Sequence, residues 1–242
     1  MKKRLDVYLV ENKKFASRER ARAEIKNCSI KVDGRVITKP SLFVDENSEV
    51  EIIGEFLKYV SRAGLKIEKA KQFFDLDFID KVVLDIGAST GGFTDFCLQC
   101  GAKKVYSVDV GCGQLHKLLV LNPKVIPMEN TDIRVVQNLP EQIDIAVCDV
   151  SFISLTKIAD AVSRLVEKGK GFMALIKPQF ECGPVVSKKC RGVVKDTRIH
   201  KECIEKVVAC YQSLGFVCQG VCESPIRGGD GNCEFLSYFV KN

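Results

Sequence analysis

No apolar run in this sequence approaches the roughly 20 residues of a membrane-spanning helix. The basic N-terminus, MKKRLDVYLVENKK, lacks a long apolar stretch and a cleavage site, so a secretory signal is not expected. Histidine is scarce, with only His116 and His200. The patterns G-x-G-x-x-G and G-x-x-x-x-G-K-[ST] are both missing, which argues against a dinucleotide fingerprint and a P-loop. Cysteine is the exception, with twelve residues. Without an export signal these read as reduced thiols of a cytoplasmic protein. Cys97 and Cys100 form a C-x-x-C on an expected helix, but no second close pair with zinc-like spacing accompanies them, and no metal site is expected. Cys148 and Cys218 lie in apolar strand-like runs and read as small buried hydrophobes.

What is present is an ordinary globular composition, 46% hydrophobic and 28% charged, in a length that suits one domain and a small module. The charge is unevenly placed. Residues 1–40 contain twelve Lys or Arg and five Asp or Glu, more than enough to account for the net +6 of the whole chain. Such asymmetry points to a polyanionic partner for the N-terminal segment, although a solvated basic face would give the same count.

Periodicity predicts a short helix over 3–12, with Leu5, Tyr8 and Leu9 on one face, and a second over 17–27. In the second, Ser17 is the N-cap, Ala21 and Ile25 face inward, and Arg18, Arg22 and Lys26 face outward. The stretch SIKVDGRVI alternates, with Ile30 and Val32 on one side and a hairpin turn at Asp33-Gly34. EVEII is a further strand. These elements define an α+β module over residues 1–54, followed by a linker at 55–63 and a larger domain over 64–242. A helix is expected at 64–74, and from residue 82 strands and helices alternate. Strands are expected in VVLDI, KVYSVDV, DIAVCDV, KGFMALIKP, GFVCQGVCES and NCEFLSYFV, and helices over 91–101, 154–169 and 198–215. This is an α/β, Rossmann-like, mostly parallel sheet covered on both faces. Its last strand returns antiparallel across the short SPIRGGDG loop.

The first strand of this sheet ends in Asp85, and Gly87, Ala88, Ser89, Gly91, Gly92 and Phe93 follow. A glycine-rich turn lets backbone approach a ligand closely and aims a helix N-terminus at it. The second strand ends in Asp109, where a carboxylate can accept both hydroxyls of a ribose. The order strand, glycine-rich turn, helix, strand, acid suits an adenosine cofactor bound at the carboxyl edge of the sheet.

Three resemblances extend this reading. R-L-D-x-x-L (Arg4, Leu5, Asp6, Leu9), S-R-x-x-A (Ser17, Arg18, Ala21), Ile25 and I-x-V-x-G (Ile30, Val32, Gly34) resemble the alpha-L RNA-binding motif. That implies RNA binding through Arg4, Arg18, Arg20, Arg22, Lys26 and Lys31. Cys28 stands where that motif usually has glycine. DIGASTGGFTD is similar to the glycine-rich motif of FtsJ-type methyltransferases that use S-adenosylmethionine. Nearly the whole chain resembles the haemolysin A or TlyA family through Y-V-S-R-x-G-x-K at 59–66, D-V-S-F-I-S at 149–154, K-P-Q-F-E at 177–181 and G-N-x-E-F at 231–235. In MENTDIR, Asp132, a cofactor-side residue, replaces the usual asparagine.

The resemblance implies a catalytic tetrad of Lys66, Asp149, Lys177 and Glu234, with Asp149 also touching the cofactor. It further implies methylation of a ribose 2′-hydroxyl in ribosomal RNA, on cytidine, in large-subunit or also small-subunit rRNA, with the large subunit favoured. The residues themselves place Asp149 and Lys177 at strand ends on the ligand edge; Lys66 is assigned by resemblance alone. Lys177 is either the base or a cationic stabiliser of the alkoxide. The basic run Lys188, Lys189, Arg191, Lys195 and Arg198 is either a phosphate contact or a solvated loop. Two other functions stay open: an RNA-binding protein that retains the sheet without catalysis, and a membrane-active cytolysin. The sequence does not indicate an oligomeric state.

Overall fold

The computed structural model describes residues 2–15, 17–26, 29–53 and 58–242, without the side chains of Glu19, Arg20, Ala23 and Lys26. Two of the basic candidates, Arg20 and Lys26, and the departure at Cys28 therefore lie outside the described residues. The chain divides into two compact units, Met1–Lys58 and Tyr59–Asn242.

In the first unit, β1 (Lys3–Arg4) leads into α1 (Leu5–Glu11) and α2 (Arg18–Lys26). The strands β2 (Ile30–Val32), β3 (Arg35–Val36), β4 (Phe43–Val44) and β5 (Val50–Ile52) follow. The first helix starts later than its periodicity predicts, because Lys3 and Arg4 pair antiparallel with Val44 and Phe43. Asp33 and Gly34 both take positive φ, 50° and 74°, as a tight hairpin turn between β2 and β3 requires. Leu5, Leu9, Ala21, Ile25, Ile30, Val32 and Val44 form one core, fed by both helices and the sheet.

The second unit opens with α3 (Ala63–Phe74), β6 (Val82–Ile86), α4 (Gly92–Gln99), β7 (Lys104–Val108), α5 (Lys117–Val120) and β8 (Val125–Met128). It continues through β9 (Ile143–Cys148), α6 (Ala159–Leu165), β10 (Val166–Ile176), α7 (Pro178–Glu181), α8 (Gly183–Lys189), α9 (Thr197–Ser213), β11 (Phe216–Glu223) and β12 (Phe235–Lys241). The sheet order is β11-β12-β10-β9-β6-β7-β8. The run from β10 to β8 is parallel, and β12 runs antiparallel to both its neighbours. β8 is not predicted by its pattern, because Pro127 interrupts it; a proline is tolerated there because β8 is an edge strand.

The helix expected over 154–169 is shorter. It begins as a single 3₁₀ turn at Leu155–Lys157, and α6 ends at Leu165. Val166 is drawn into the sheet opposite Ile143, with a register shift before Gly171. The last strand also starts late, at Phe235. Asn232 is occupied elsewhere: it donates to the Gly192 carbonyl and accepts from the Val194 amide.

Strand alternation sorts the core onto two faces. Val82, Leu84 and Ile86 pack with Val162, Leu165, Val207 and Tyr211 of α6 and α9. Val83 packs on the other face with Ile67, Ala70, Phe93 and Phe96 of α3 and α4. Phe172, Tyr211, Phe216 and Phe239 interlock with ring centroids 5.0–6.3 Å apart. Truncating one such buried phenylalanine typically costs about 3–5 kcal/mol.

Candidate active site

Two cavities open at the carboxyl edge of the parallel strands, as expected for ligand sites in open α/β sheets. The first, of about 530 Å³, is walled by Ile86, Val108, Val110, Ile133, Val150 and Ile153 and carries Ser89, Asp109, Gln114 and Asp132. The second, of about 320 Å³, is lined by Lys66, Lys177, Gln179, Phe180, Gly228, Asp230 and Glu234. They meet at Gly87, Ser89, Asp149, Ser151 and Phe152, which line both.

Asp109 is oriented by backbone. The Ser89 amide donates to one carboxylate oxygen at 2.8 Å and the Gly111 amide to the other at 2.7 Å. Each oxygen retains acceptor capacity for a hydroxyl. Glu129 accepts from the Gln114 and Leu115 amides and holds the intervening loop over the cavity. At Gly87 two backbone segments come close together. Its φ is +81°, and a Cβ there would lie 2.8 Å from the Asp149 carbonyl oxygen. Gly87→Ala should therefore add about 1–3 kcal/mol of local strain and push the 149–152 segment out of place. Calorimetric titration with S-adenosylhomocysteine is expected to show weaker binding, together with a lower melting temperature.

Two predicted cofactor residues, Asp85 and Gly91, lie outside both cavities, and a third, Asp132, is paired within the larger one. Asp85 lines neither cavity. It is fully buried on the α4 side of β6, where strand alternation turns it, and the Thr94 hydroxyl donates to it at 2.6 Å. Burial pushes its carboxyl up to about 7. Gly91 also lies outside both cavities; it precedes α4 and packs under Leu115 and Leu119. Asp132 does line the larger cavity, but the guanidinium of Arg134 grips it at 2.5 Å. That contact holds its carboxyl below the usual range, and the cavity meets a neutralised pair rather than a lone acid. Ala88, Gly92 and Phe93 line the second cavity.

Lys66, Asp149, Lys177 and Glu234, which come from four separated stretches of sequence, converge at the second cavity. Lys66 reaches Glu234 at 2.8 Å and Asp149 at 3.3 Å. Lys177 lies 2.6 Å from the other Asp149 oxygen and donates to the Ser151 hydroxyl at 2.8 Å. The result is a chain of alternating charge, Lys177–Asp149–Lys66–Glu234, with every member buried or nearly so. Burial opposes the charge on Lys66, but the Asp149 and Glu234 carboxylates outweigh it and hold its pKa above the ordinary lysine value. Burial likewise opposes ionisation of Asp149, and the two lysines outweigh it and hold the carboxyl below its ordinary range.

Sequence reasoning assigns no role to Phe152 or Glu181. Phe152 is 90% exposed, sits at φ +65° and lies 5.2 Å from the ring of Phe180. A large exposed ring on a left-handed backbone is the signal, and it is visible only in three dimensions. Glu181 is buried and accepts from the Ser154 hydroxyl at 2.5 Å and the Leu155 amide at 2.7 Å. It thus ties the segment after Asp149 to the segment after Lys177.

A twisted parallel sheet with one antiparallel strand, a glycine turn, a strand-end acid and an adjoining cavity of paired lysines and carboxylates is the architecture of a small-molecule-dependent methyltransferase. Residues 59–241 match the FtsJ-like methyltransferase model, and the chain belongs to that family. Residues 3–50 match the S4 domain. The chain is 37% identical to Hemolysin A of Brachyspira hyodysenteriae, over 98% of this chain and 99% of that one. It is 36% identical to the 23S rRNA (cytidine-2′-O)-methyltransferase TlyA of Campylobacter jejuni, over 83% and 78%. It is 33% identical to the 16S/23S rRNA (cytidine-2′-O)-methyltransferase TlyA of Mycobacterium tuberculosis, over 96% and 88%. A solved structure of a candidate hemolysin from Streptococcus thermophilus superposes with a TM-score of 0.78 at 40% identity, covering 100% of this chain and 89% of that one. The methyl donor of such an enzyme is S-adenosylmethionine. The nucleoside-sized cavity with a backbone-oriented Asp109 fits that cofactor.

Proposed function

We propose that this protein transfers a methyl group from S-adenosylmethionine to a ribose 2′-hydroxyl of ribosomal RNA, on cytidine, in the large subunit first. The observation that carries this reading is the buried Lys177–Asp149–Lys66–Glu234 chain at the junction of the two cavities. Asp109, Ser89 and the apolar walls would hold the cofactor, which supplies an electrophilic methyl group at that junction. The acceptor hydroxyl enters the smaller cavity. Asp149 is held anionic and Lys66 cationic, so neither is poised to exchange a proton near neutral pH. Lys177, whose amine is fixed by Asp149 and by the Ser151 hydroxyl, is the member assigned to take or share the hydroxyl's proton. Holding both reactants at one junction adds the proximity contribution.

Phe152 and Phe180 support a nucleotide acceptor. An exposed ring beside a half-buried one at a small pocket suits a nucleobase swung out of its stack. Base–aromatic stacking is worth about 1–3 kcal/mol, so Phe152→Ala should raise the KM for RNA by about five- to a hundredfold and leave cofactor affinity unchanged, as read in steady-state kinetics and calorimetry. Residues 1–54 act as the RNA-binding module and 64–242 as the methyltransferase domain, joined by 55–63, in the cytoplasm, where the ribosomal substrate is. Arg4, Arg18, Arg22 and Lys31 belong to the proposed RNA contacts.

The deciding experiment is tritiated methyl transfer to ribosomal RNA from cells lacking the protein, followed by nuclease digestion. Label on the ribose of a cytidine is the expected result; label on a base overturns the reading. The cytolysin alternative has no support in the helices: among the described residues, none is long and apolar enough to cross a membrane.

A further inference from the structure

Asp6 is an acid in the most basic part of the chain, and it is completely buried. Three guanidiniums converge on it. Arg4 donates through Nε at 3.0 Å to one oxygen and through Nη2 at 3.2 Å to the other. Arg18 donates through Nη2 at 3.1 Å and Arg22 through Nε at 2.8 Å, both to Oδ2. Four donors thus meet the carboxylate, three of them at Oδ2. Burial works against its charge, yet the three arginines hold it ionised far below the usual carboxylate range. The arginine side chains themselves are 39%, 50% and 44% exposed.

Among the described residues, one anion against three cations leaves this cluster with a net charge of two positives. Each guanidinium carries five N–H donors, and Asp6 takes only one or two from each. The remaining donors emerge at one place on the surface, already oriented. Arginine side chains free to rotate would have to be ordered when an anion binds, and that ordering is a substantial part of the cost of association.

We propose that Asp6 is a positioning residue that assembles Arg4, Arg18 and Arg22 into one preformed phosphodiester-binding site for structured RNA. The inference rests on the RNA-binding reading above. It makes a prediction of opposite sign to simple electrostatics. Removing a negative charge from a surface that binds a polyanion should tighten binding; here it should weaken it, because the three guanidiniums lose their common anchor.

The test is fluorescence anisotropy of the full-length protein with a labelled stem-loop RNA, across a salt series. Asp6→Asn is expected to weaken binding by about tenfold and to flatten the salt dependence by about one to two units of slope, the share of one or two phosphate contacts. Circular dichroism establishes that the variant is folded. Equal or tighter binding by folded Asp6→Asn overturns the proposal. Should that variant fail to fold, Arg18→Lys combined with Arg22→Lys decides. It keeps both charges but loses the forked donors, and weaker binding supports the proposal while wild-type affinity and slope overturn it. Absence of salt-dependent binding by the wild type would instead remove the RNA-binding reading, and the proposal with it.

Discussion

Replacing Lys177 with alanine is expected to lower the single-turnover rate of methyl transfer by about two to four orders of magnitude, the usual contribution of a positioned proton-transfer group. Cofactor affinity should not change. The separation follows from the geometry: Lys177 lines the smaller cavity and not the larger one. Rapid-quench measurement of labelled RNA gives the rate, and calorimetry with S-adenosylhomocysteine gives the affinity. Lys177→Arg sharpens the result. It restores a cation beside Asp149 but not a group that gives up its proton readily. Recovery of activity in the arginine variant would assign Lys177 as a stabilising charge, and continued inactivity would assign it as the base. Full activity in Lys177→Ala would remove it from the mechanism.

Asp109→Ala should produce the reverse pattern. Hydrogen bonds to a charged group contribute about 1.5–3 kcal/mol each, so losing the carboxylate proposed to face the cofactor ribose should weaken cofactor binding by about ten- to a hundredfold. The amides of Ser89 and Gly111 also lose their acceptor, and the loop they belong to should loosen. With saturating cofactor, most of the methyl-transfer rate should return, because the Lys177–Asp149–Lys66–Glu234 chain is untouched. Unchanged affinity in calorimetry would show that the cofactor does not use Asp109.

The sequence is most legible where a local rule operates alone. Alternating strands and helices, the Asp33-Gly34 turn and the inward faces of the N-terminal helices all follow from short-range periodicity and turn chemistry. The structure reproduces them. Local rules fail where a distant partner competes. Val166 leaves its helix for the sheet because Ile143 is available beside it. Asp85 sits in the expected glycine-rich motif, yet strand alternation turns it away from both cavities and toward Thr94. Lys66 could be assigned only by resemblance, because nothing near it in sequence signals that α3 delivers it to Asp149 and Glu234. Phe152 enters the sequence reading only as a letter of D-V-S-F-I-S, without a role, since its meaning lies in exposure and backbone conformation.

Glu234 enters the site immediately before β12, the strand inserted antiparallel between β10 and β11. Its ion-pair partner Lys66 stands near the beginning of the same unit. A chain growing from its N-terminus therefore completes the walls around Asp109 long before Glu234 is made. The donor pocket comes within reach of folding while the acceptor pocket is still open. Assembly of the charge chain thus waits for the segment that carries Glu234, and a chain cut short within the β11–β12 loop would carry most of the walls around Asp109 without it.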